Sequence, residues 1–529
     1  MSSSDVHTLN AARLIHYISS HPMQTCVTLL LLVLVQHIIK AIATAYKPGL
    51  RSIPGPAVAR FSSLYRPWKL AGGDAPGLYR ALHERYGKIV RTGPKTVDIS
   101  DPDAVSVIYG ISSKFLKSAF YDAFSPIHEE TVMPSMFSVR DPSTHQALRR
   151  PVAQKFSMSS IRAMEPFADE CTHILLDAMR SLEGTGYPID LGAWLQWYAF
   201  DVIGAISFQR RFGFMEERRD VLGMIGSIDA VLKYAALAGQ VPAVHRWLMG
   251  SRLVAKFLAA QPFVDVPDPL RTIVEYTQEC IDEYDRHPVA EHGDRPDFLS
   301  WLRGEAAKGK PMPHRDLINH LSNNLLAGSD TTAISLRAIV YFLVKTPSAY
   351  QKLRREIDEA DAAGKLSEYV TYAECLELAY LQAVMKEAMR CHPGVSYPLE
   401  RIVPPEGATL CGVHLPAGTI VGVNAAVIHG DKSIFGDDAA EFRPERWTEG
   451  SEERVKIMER HLMTFGYGSR TCIGKNISIM EMGKLVPQLM RQFDIEWASE
   501  CPEWRVETFW FAKQHGLICR LRSRTDRRV

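Results

Sequence analysis

The residues with the clearest chemical promise form one run, Phe465-Gly466-Tyr467-Gly468-Ser469-Arg470-Thr471-Cys472-Ile473-Gly474. Gly466, Gly468 and Gly474 permit tight turns and let the backbone approach a flat ligand closely. Cys472 lies among them, and a largely apolar stretch of helical character, Ile477 to Val486, follows it. A helix that starts just past a cysteine stabilises its thiolate. Arg470 stands two residues away, placed to meet an anionic group. Thiolate, glycine-lined backbone and cation together suit axial ligation of a haem iron, with backbone N–H groups able to hydrogen-bond the sulfur. A free cysteine in a glycine-rich turn accounts for the cysteine alone. The full F-x-x-G-x-R-x-C-x-G spacing points to the metal.

Four further groups have telling spacing. In Glu387-Ala388-Met389-Arg390 the acid and the arginine share a helix face, because Leu381, Val384, Met385, Ala388 and Met389 recur at helical spacing. Alone, such an ion pair is surface decoration. Phe442-Arg443-Pro444-Glu445-Arg446-Trp447 supplies another arginine downstream. Ala327-Gly328-Ser329-Asp330-Thr331-Thr332 interrupts a long apolar stretch with residues that cost helix propensity, a local violation of the kind found at functional sites. Threonine hydroxyls there can bond back four residues and bend the helix, although the two could also be plain helix residues facing a polar neighbour. His145 and Arg149 lie one turn apart and can point at the same anion, a solvated basic face being the alternative. Arg401 ends the run Tyr397-Pro398-Leu399-Glu400-Arg401.

These groups need a scaffold. Leu191 to Ile206 is apolar and of buried-helix length, and Arg315 to Lys345 is longer, about 45 Å as a helix, ending before Pro347. Short strand-like pieces sit at Ile89–Val97, Ala408–Val413, Thr419–Val423 and Gly516–Leu521. The patterns predict a mainly α domain with a small β subdomain. One domain this large must be organised around something, and a buried cofactor would serve.

Composition narrows the classes further. The 529 residues carry 61 Lys+Arg against 60 Asp+Glu, so a dedicated nucleic-acid binder is excluded. Nine scattered cysteines with no C-x-x-C pair exclude a disulfide framework or zinc module and suit a reducing compartment. The N-terminus departs from the globular pattern. Met23 to Ala43 contains CVTLLLLVLVQHII and approaches the ~20 residues a bilayer needs. Ala41 to Ala45 formally contains a signal-cleavage pattern, but a long polar lead and Lys40 favour an uncleaved anchor. Lys40, Lys47 and Arg51 at its end place the bulk of the chain in the cytosol. The expected organisation is a tail over 1–22, a transmembrane anchor over 23–43, a hinge over 44–56 containing Ile53-Pro54-Gly55-Pro56, and a catalytic body over 57–529.

With the cysteine loop, E-x-x-R, the Phe442–Trp447 segment and the A-G-S-D-T-T element in order, residues 50 to 520 resemble the cytochrome P-450 family of haem-thiolate monooxygenases. Several stretches, Ser157 to Phe167 among them, are similar to filamentous-fungal members near pisatin demethylase. The resemblance implies the cytochrome P-450 fold and haem b with Cys472 as axial ligand, the loop residues Phe465, Gly466, Gly468, Arg470 and Gly474 forming its cradle. It implies propionate contacts from Arg149, His145 (where the family usually has Trp) and Arg401, and a structural triad of Glu387, Arg390 and Arg446. Thr331 would hydrogen-bond the oxygen bound at the iron, and Asp330 would relay protons to it. O2 is the co-substrate. Electrons would come from NADPH through a separate NADPH–haemoprotein reductase at the endoplasmic reticulum, with cytochrome b5 as a further donor, since no flavin or iron–sulfur motif is visible; Arg150, Lys155 and Lys475 are candidate docking residues. The substrate would be a lipophilic small molecule, for example a terpenoid, polyketide or alkaloid intermediate of fungal secondary metabolism. It would lie among Ser118–Met136, Ile225–Val241, Asn323–Ser329, Gly394–Pro398 and Thr508–Phe511. A haem-thiolate isomerase or dehydratase would be expected to alter the Asp330-Thr331 pair, and a haem sensor would be expected to add a signalling domain.

Overall fold

The computed structural model describes residues 20–248, 269–286, 297–307 and 312–524. Helices account for most of it. Those that bear on the site are α1 (Pro22–Ala45), α2 (Ala57–Phe61), α3 (Tyr65–Leu70), α4 (Pro142–Arg149), α5 (Leu191–Phe208), α6 (Met224–Ala238), α7 (His314–Lys345), α8 (Ala379–Cys391) and α9 (Lys475–Gln492). The fold class expected from the sequence is the one observed. Helix α5 is apolar around nearly its whole circumference, and all but two of its residues are buried, as such a pattern requires. It is capped by Asp190, whose carboxylate accepts from the Ala193 N–H at 3.0 Å. Helix α7 runs beside it, with Gly328 at the crossing: a Cβ there would stand 2.9 Å from Ile203 Cδ1.

The β-region is a five-stranded sheet built from β1 (Ile89–Gly93), β2 (Thr96–Ile99), β3 (Leu116–Lys117), β4 (Arg401–Ile402) and, after the hairpin β5 (Ala408–Leu410) and β6 (Val413–Leu415), β7 (Ile420–Val423). Its order is β1-β2-β7-β4-β3, with β2 and β7 parallel and the other neighbours antiparallel. Farther along come β8 (Phe493–Trp497), β9 (Arg505–Phe509), β10 (Phe511–His515) and β11 (Ile518–Ser523). Two of the expected strands are hairpins instead. Gly93-Pro94-Lys95 turns the chain between β1 and β2, since proline cannot donate to a ladder. Cys411 (φ 49°) and Gly412 (φ 74°) form the two-residue turn between β5 and β6.

A large core unites the long helices, and a smaller one lies on the sheet, where Val97, Ile99, Val421 and Val423 meet Leu50 and Ile53. Among the described residues two helical stretches are long and apolar enough to cross a membrane. Val221–Ala238 is partly buried against the core, whereas α1 buries nothing along its apolar window.

Candidate active site

The cysteine loop is held open by its own backbone. The Cys472 N–H donates to Phe465 O at 2.8 Å, and the Gly466 N–H to Met463 O at 2.9 Å. Gly468 has φ +61°, and a Cβ on it would lie 1.9 Å from Tyr109 O, so no other residue fits. A Cβ on Gly474 would meet nothing within 4 Å, so the turn after the cysteine is open. Cys472 is ringed by protein and still has open surface, so it faces into a cradle and not into packed core. Burial pushes its thiol pKa up, against the pull of the Gly474 and Lys475 N–H groups and the charge of Arg149. A bound cation beside the sulfur would tip that balance to the thiolate.

Next to the loop lies a group of cations with no carboxylate bonded to any of them among the described residues. Arg149 of α4 donates to Thr471 O at 3.0 Å, and Arg470 to Val139 O at 2.9 Å. Arg401 donates to its neighbour Glu400 O at 2.8 Å and to Tyr121 Oη at 3.3 Å. Lys117 of β3 donates to Phe137 O and lies 4.0 Å from the Tyr121 ring centre. The nearby carboxylate of Glu400 is already taken by Arg66 at 2.6 Å and by the Ser118 hydroxyl. Burial, reinforced by Arg401 and Arg470, drives the Lys117 pKa well below the usual lysine range. His145 is buried beside them, its pKa pushed down to about 4 by burial and then by Arg470, Arg149 and Lys117. Three arginines gathered without a counter-charge, beside a lysine that an anion would help to protonate, make a receptor for a dianion.

Glu387 of α8 is fully buried and accepts five hydrogen bonds. Arg390 gives two (2.9 and 2.8 Å), and Arg446 Nε, Trp447 Nε1 and the Arg443 N–H give one each, at 2.8, 2.9 and 2.9 Å. Arg390 passes the constraint on. Its carbonyl accepts from His429 Nδ1 at 2.9 Å, and His429 Nε2 accepts from the Met463 N–H at 2.8 Å, which fixes the tautomer. Burial, with Arg390 adding to it, pushes the His429 pKa down to about 3, so the ring is neutral. The triad is thereby bonded to the segment that enters the cysteine loop.

On α7, Ala327 has open surface, Leu326, Gly328 and Thr331 around it are half-buried, and Leu325, Ser329 and Asp330 are buried. The Thr331 hydroxyl donates to Ala327 O at 2.7 Å, and Thr332 shares a hydrogen bond with Ser478 of α9 at 2.8 Å. Asp330 turns instead to α5, where Gln196 donates to Oδ1 and in turn accepts from Arg337 at 2.8 Å. Asp330 Oδ2 is buried with no partner. Burial raises the Asp330 pKa, opposed in part by Lys513.

The family model for cytochrome P450 matches residues 65–519. The chain belongs to the cytochrome P450 family. This P450 is 36% identical over 480 residues to cytochrome P450 monooxygenase cicH of Emericella nidulans, covering 90% of this chain and 94% of that one. It is 36% identical over 478 residues to pisatin demethylase of Fusarium vanettenii (89% and 88%). It is 35% identical over 473 residues to cytochrome P450 monooxygenase gsfF of Penicillium aethiopicum (88% and 92%). It is thus a P450 monooxygenase. The family implies haem, and the open thiol, the open turn at Gly474 and the arginines without counter-charge fit that group. Lys117, His429 and Gln196 escaped the sequence reading. A lysine between Phe115-Leu116 and Phe120-Tyr121, and a histidine closing the apolar run Ala425–Ile428, were the signals available.

Proposed function

We propose that this P450 is a membrane-anchored monooxygenase that inserts one oxygen atom of O2 into a lipophilic small molecule of secondary metabolism. The observation that carries the reading is Cys472, open to a cradle and flanked by three arginines without counter-charge and by Lys117. Haem, when bound, supplies dioxygen binding and reductive activation at its iron. Cys472 would be the thiolate ligand, its charge tempered by the Gly474 and Lys475 N–H groups. Arg149, Arg401, Arg470, Lys117 and the neutral His145 would receive the two propionates. Glu387, Arg390 and Arg446 would keep the loop in place through His429. Asp330 Oδ2, unpartnered and held in a setting that favours its protonated form, would carry the proton, and the Thr331 hydroxyl would pass it into the site once it leaves Ala327 O.

The pocket wall would be the aromatic group Phe120, Tyr121, Phe124, Phe137 and Trp510, whose rings meet at 5.2–6.0 Å. Such a wall would suit an aromatic, weakly polar substrate. Residues 23–43 would hold the protein in the endoplasmic reticulum membrane as a single span, with 57–529 as the cytosolic catalytic body. Electrons would come from an NADPH–haemoprotein reductase, with cytochrome b5 as a further donor. Arg150 and Lys475 are exposed for that docking, whereas Lys155 lies over the Trp301 ring at 4.8 Å. The test is the spectrum of the reduced, CO-bound membrane protein beside Cys472→Ala. A strongly red-shifted Soret band lost in the variant is expected; an unshifted band in the wild type would refute thiolate ligation.

A further inference from the structure

Arg91 of β1 is completely buried and has no acidic partner among the described residues. Its guanidinium is spent on carbonyls. Nη2 donates to Thr44 O at 2.9 Å and Pro94 O at 2.6 Å, Nη1 to Ala45 O at 2.8 Å and Leu50 O at 3.0 Å, and Nε to Gly93 O at 3.4 Å. Thr44 and Ala45 are the last residues of α1, whose terminal carbonyls lie beyond its regular ladder and together carry about half a negative charge; Thr44 O also accepts from the Lys47 N–H at 3.3 Å. Arg91 therefore adds a side-chain cap to the end of the apolar helix, supplied from the catalytic body. Arg60 of α2 likewise bonds carbonyls of the segment that follows α1, donating to Arg51 O and Ile53 O at 3.2 Å each.

The backbone closes the same joint. The Arg91 N–H donates to Pro54 O at 2.7 Å, and a Cβ on Gly55 would strike Arg91 O at 2.3 Å. Gly49 (φ +82°) comes so near β6 that its Cβ would stand 2.6 Å from His414 O. Leu50 and Ile53 are each 1% exposed, within the smaller core. The segment expected as a hinge is packed and bonded at both ends. Just past it, Val58, Phe61, Leu64 and Trp68 of the α2–α3 region are exposed, and Lys69 Nζ sits 4.5 Å from the Trp68 ring centre. An indole with a lysine beside it suits the boundary between lipid and water.

We infer that Arg91, with Arg60, is a rigid clasp that fixes the direction in which the catalytic body leaves α1, holding the α2–α3 face against the lipid surface. The inference rests on α1 being the membrane anchor. The full-length protein is placed in phosphatidylcholine vesicles with and without brominated acyl chains, and the emission of Trp68 is taken as the difference from Trp68→Phe. Bromine is expected to quench the Trp68 signal at least twofold. In Arg91→Met that quenching falls by half or more, while resistance to a carbonate wash and the CO-bound Soret band stay as in the wild type. Equal quenching in both proteins overturns the clasp. Hydrogen exchange in the wild type gives a reading that needs no variant: the amides of Tyr46, Lys47, Leu50 and Ile53 should exchange as slowly as those of β1, and Arg91→Lys should speed them. Exchange within seconds in the wild type overturns the clasp as well. Release of the wild type by carbonate overturns the anchor itself, and is thereby told apart from failure of the clasp.

Discussion

His429→Leu tests the link between the triad and the cysteine loop. In the wild type the ring donates to Arg390 O and accepts from the Met463 N–H, and a second ring proton would oppose that N–H directly. The folded pKa is about 3, against the ordinary 6.5, a gap equivalent to ~5 kcal/mol. The sign follows from the depressed value. The unfolded chain binds the proton first, so the contribution is fully present above pH 6.5 and is lost as pH falls toward 3. The rate of loss is about 1.4 kcal/mol per pH unit. The leucine variant has no such proton to lose, but leaves the Met463 N–H and the Arg390 carbonyl unpaired at roughly 1–3 kcal/mol each. Urea unfolding of the detergent-solubilised protein is compared at pH 8 and pH 5. His392 and His320, each pushed down to about 4 by burial, are common to both proteins and cancel in the difference. The wild type should exceed the variant clearly at pH 8, and the excess should shrink by ~2 kcal/mol at pH 5. An excess that stays constant across that range would refute the buried, neutral, doubly bonded histidine.

Four other outcomes are expected. Glu387→Gln leaves buried Arg390 without its carboxylate, while Arg446 keeps Asp438 at 2.9 Å, and should destabilise by about 3–5 kcal/mol in thermal or urea unfolding; a loss under 1 kcal/mol would make the triad ornamental. Lys117→Met should raise the rate of haem transfer to apomyoglobin about tenfold, ~1.4 kcal/mol, while the CO band keeps its position. Gly468→Ala puts a methyl group on Tyr109 O at a left-handed position, and should lower both the yield of folded protein and its haem content. In Asp330→Asn and Thr331→Ala, product formation should fall with peroxide rising against NADPH consumed; unchanged product in both would remove them from proton delivery.

The extent of sequence legibility differed by kind of residue. Helices α5 and α7 were visible because each is long and apolar, and their observed bounds lie within two residues of expectation. The two mistaken strands failed at Gly93-Pro94 and Cys411-Gly412, where short turn signals were passed over inside apolar runs. Cys472, Glu387 and Arg446 were legible because their motifs are local. Lys117, Gln196 and His429 were not, because what makes each one distinctive is a partner far away in sequence: Phe137 and Arg401, Asp330, and the pair Arg390 and Met463. A histidine between two backbone groups and a lysine without a counter-ion are properties of the folded arrangement, invisible until the chain has closed.

The crossing of α5 and α7 bears on how such an enzyme can diversify. With Ile203 Cδ1 within 3 Å of where a Gly328 side chain would begin, the helix bearing Asp330 and Thr331 can slide toward α5, or accept bulk there, only if the Ile203 side chain gives way. That close packing would be expected to hold the helix in place as the chain diversifies. Novelty is more readily written elsewhere, in the Ala119–Phe124 turn and at the strained tip Phe509-Trp510-Phe511, where Trp510 already tolerates φ +70°. Lineages of this chain would accordingly be expected to exchange substrates by rewriting those two short segments while keeping one reaction chemistry.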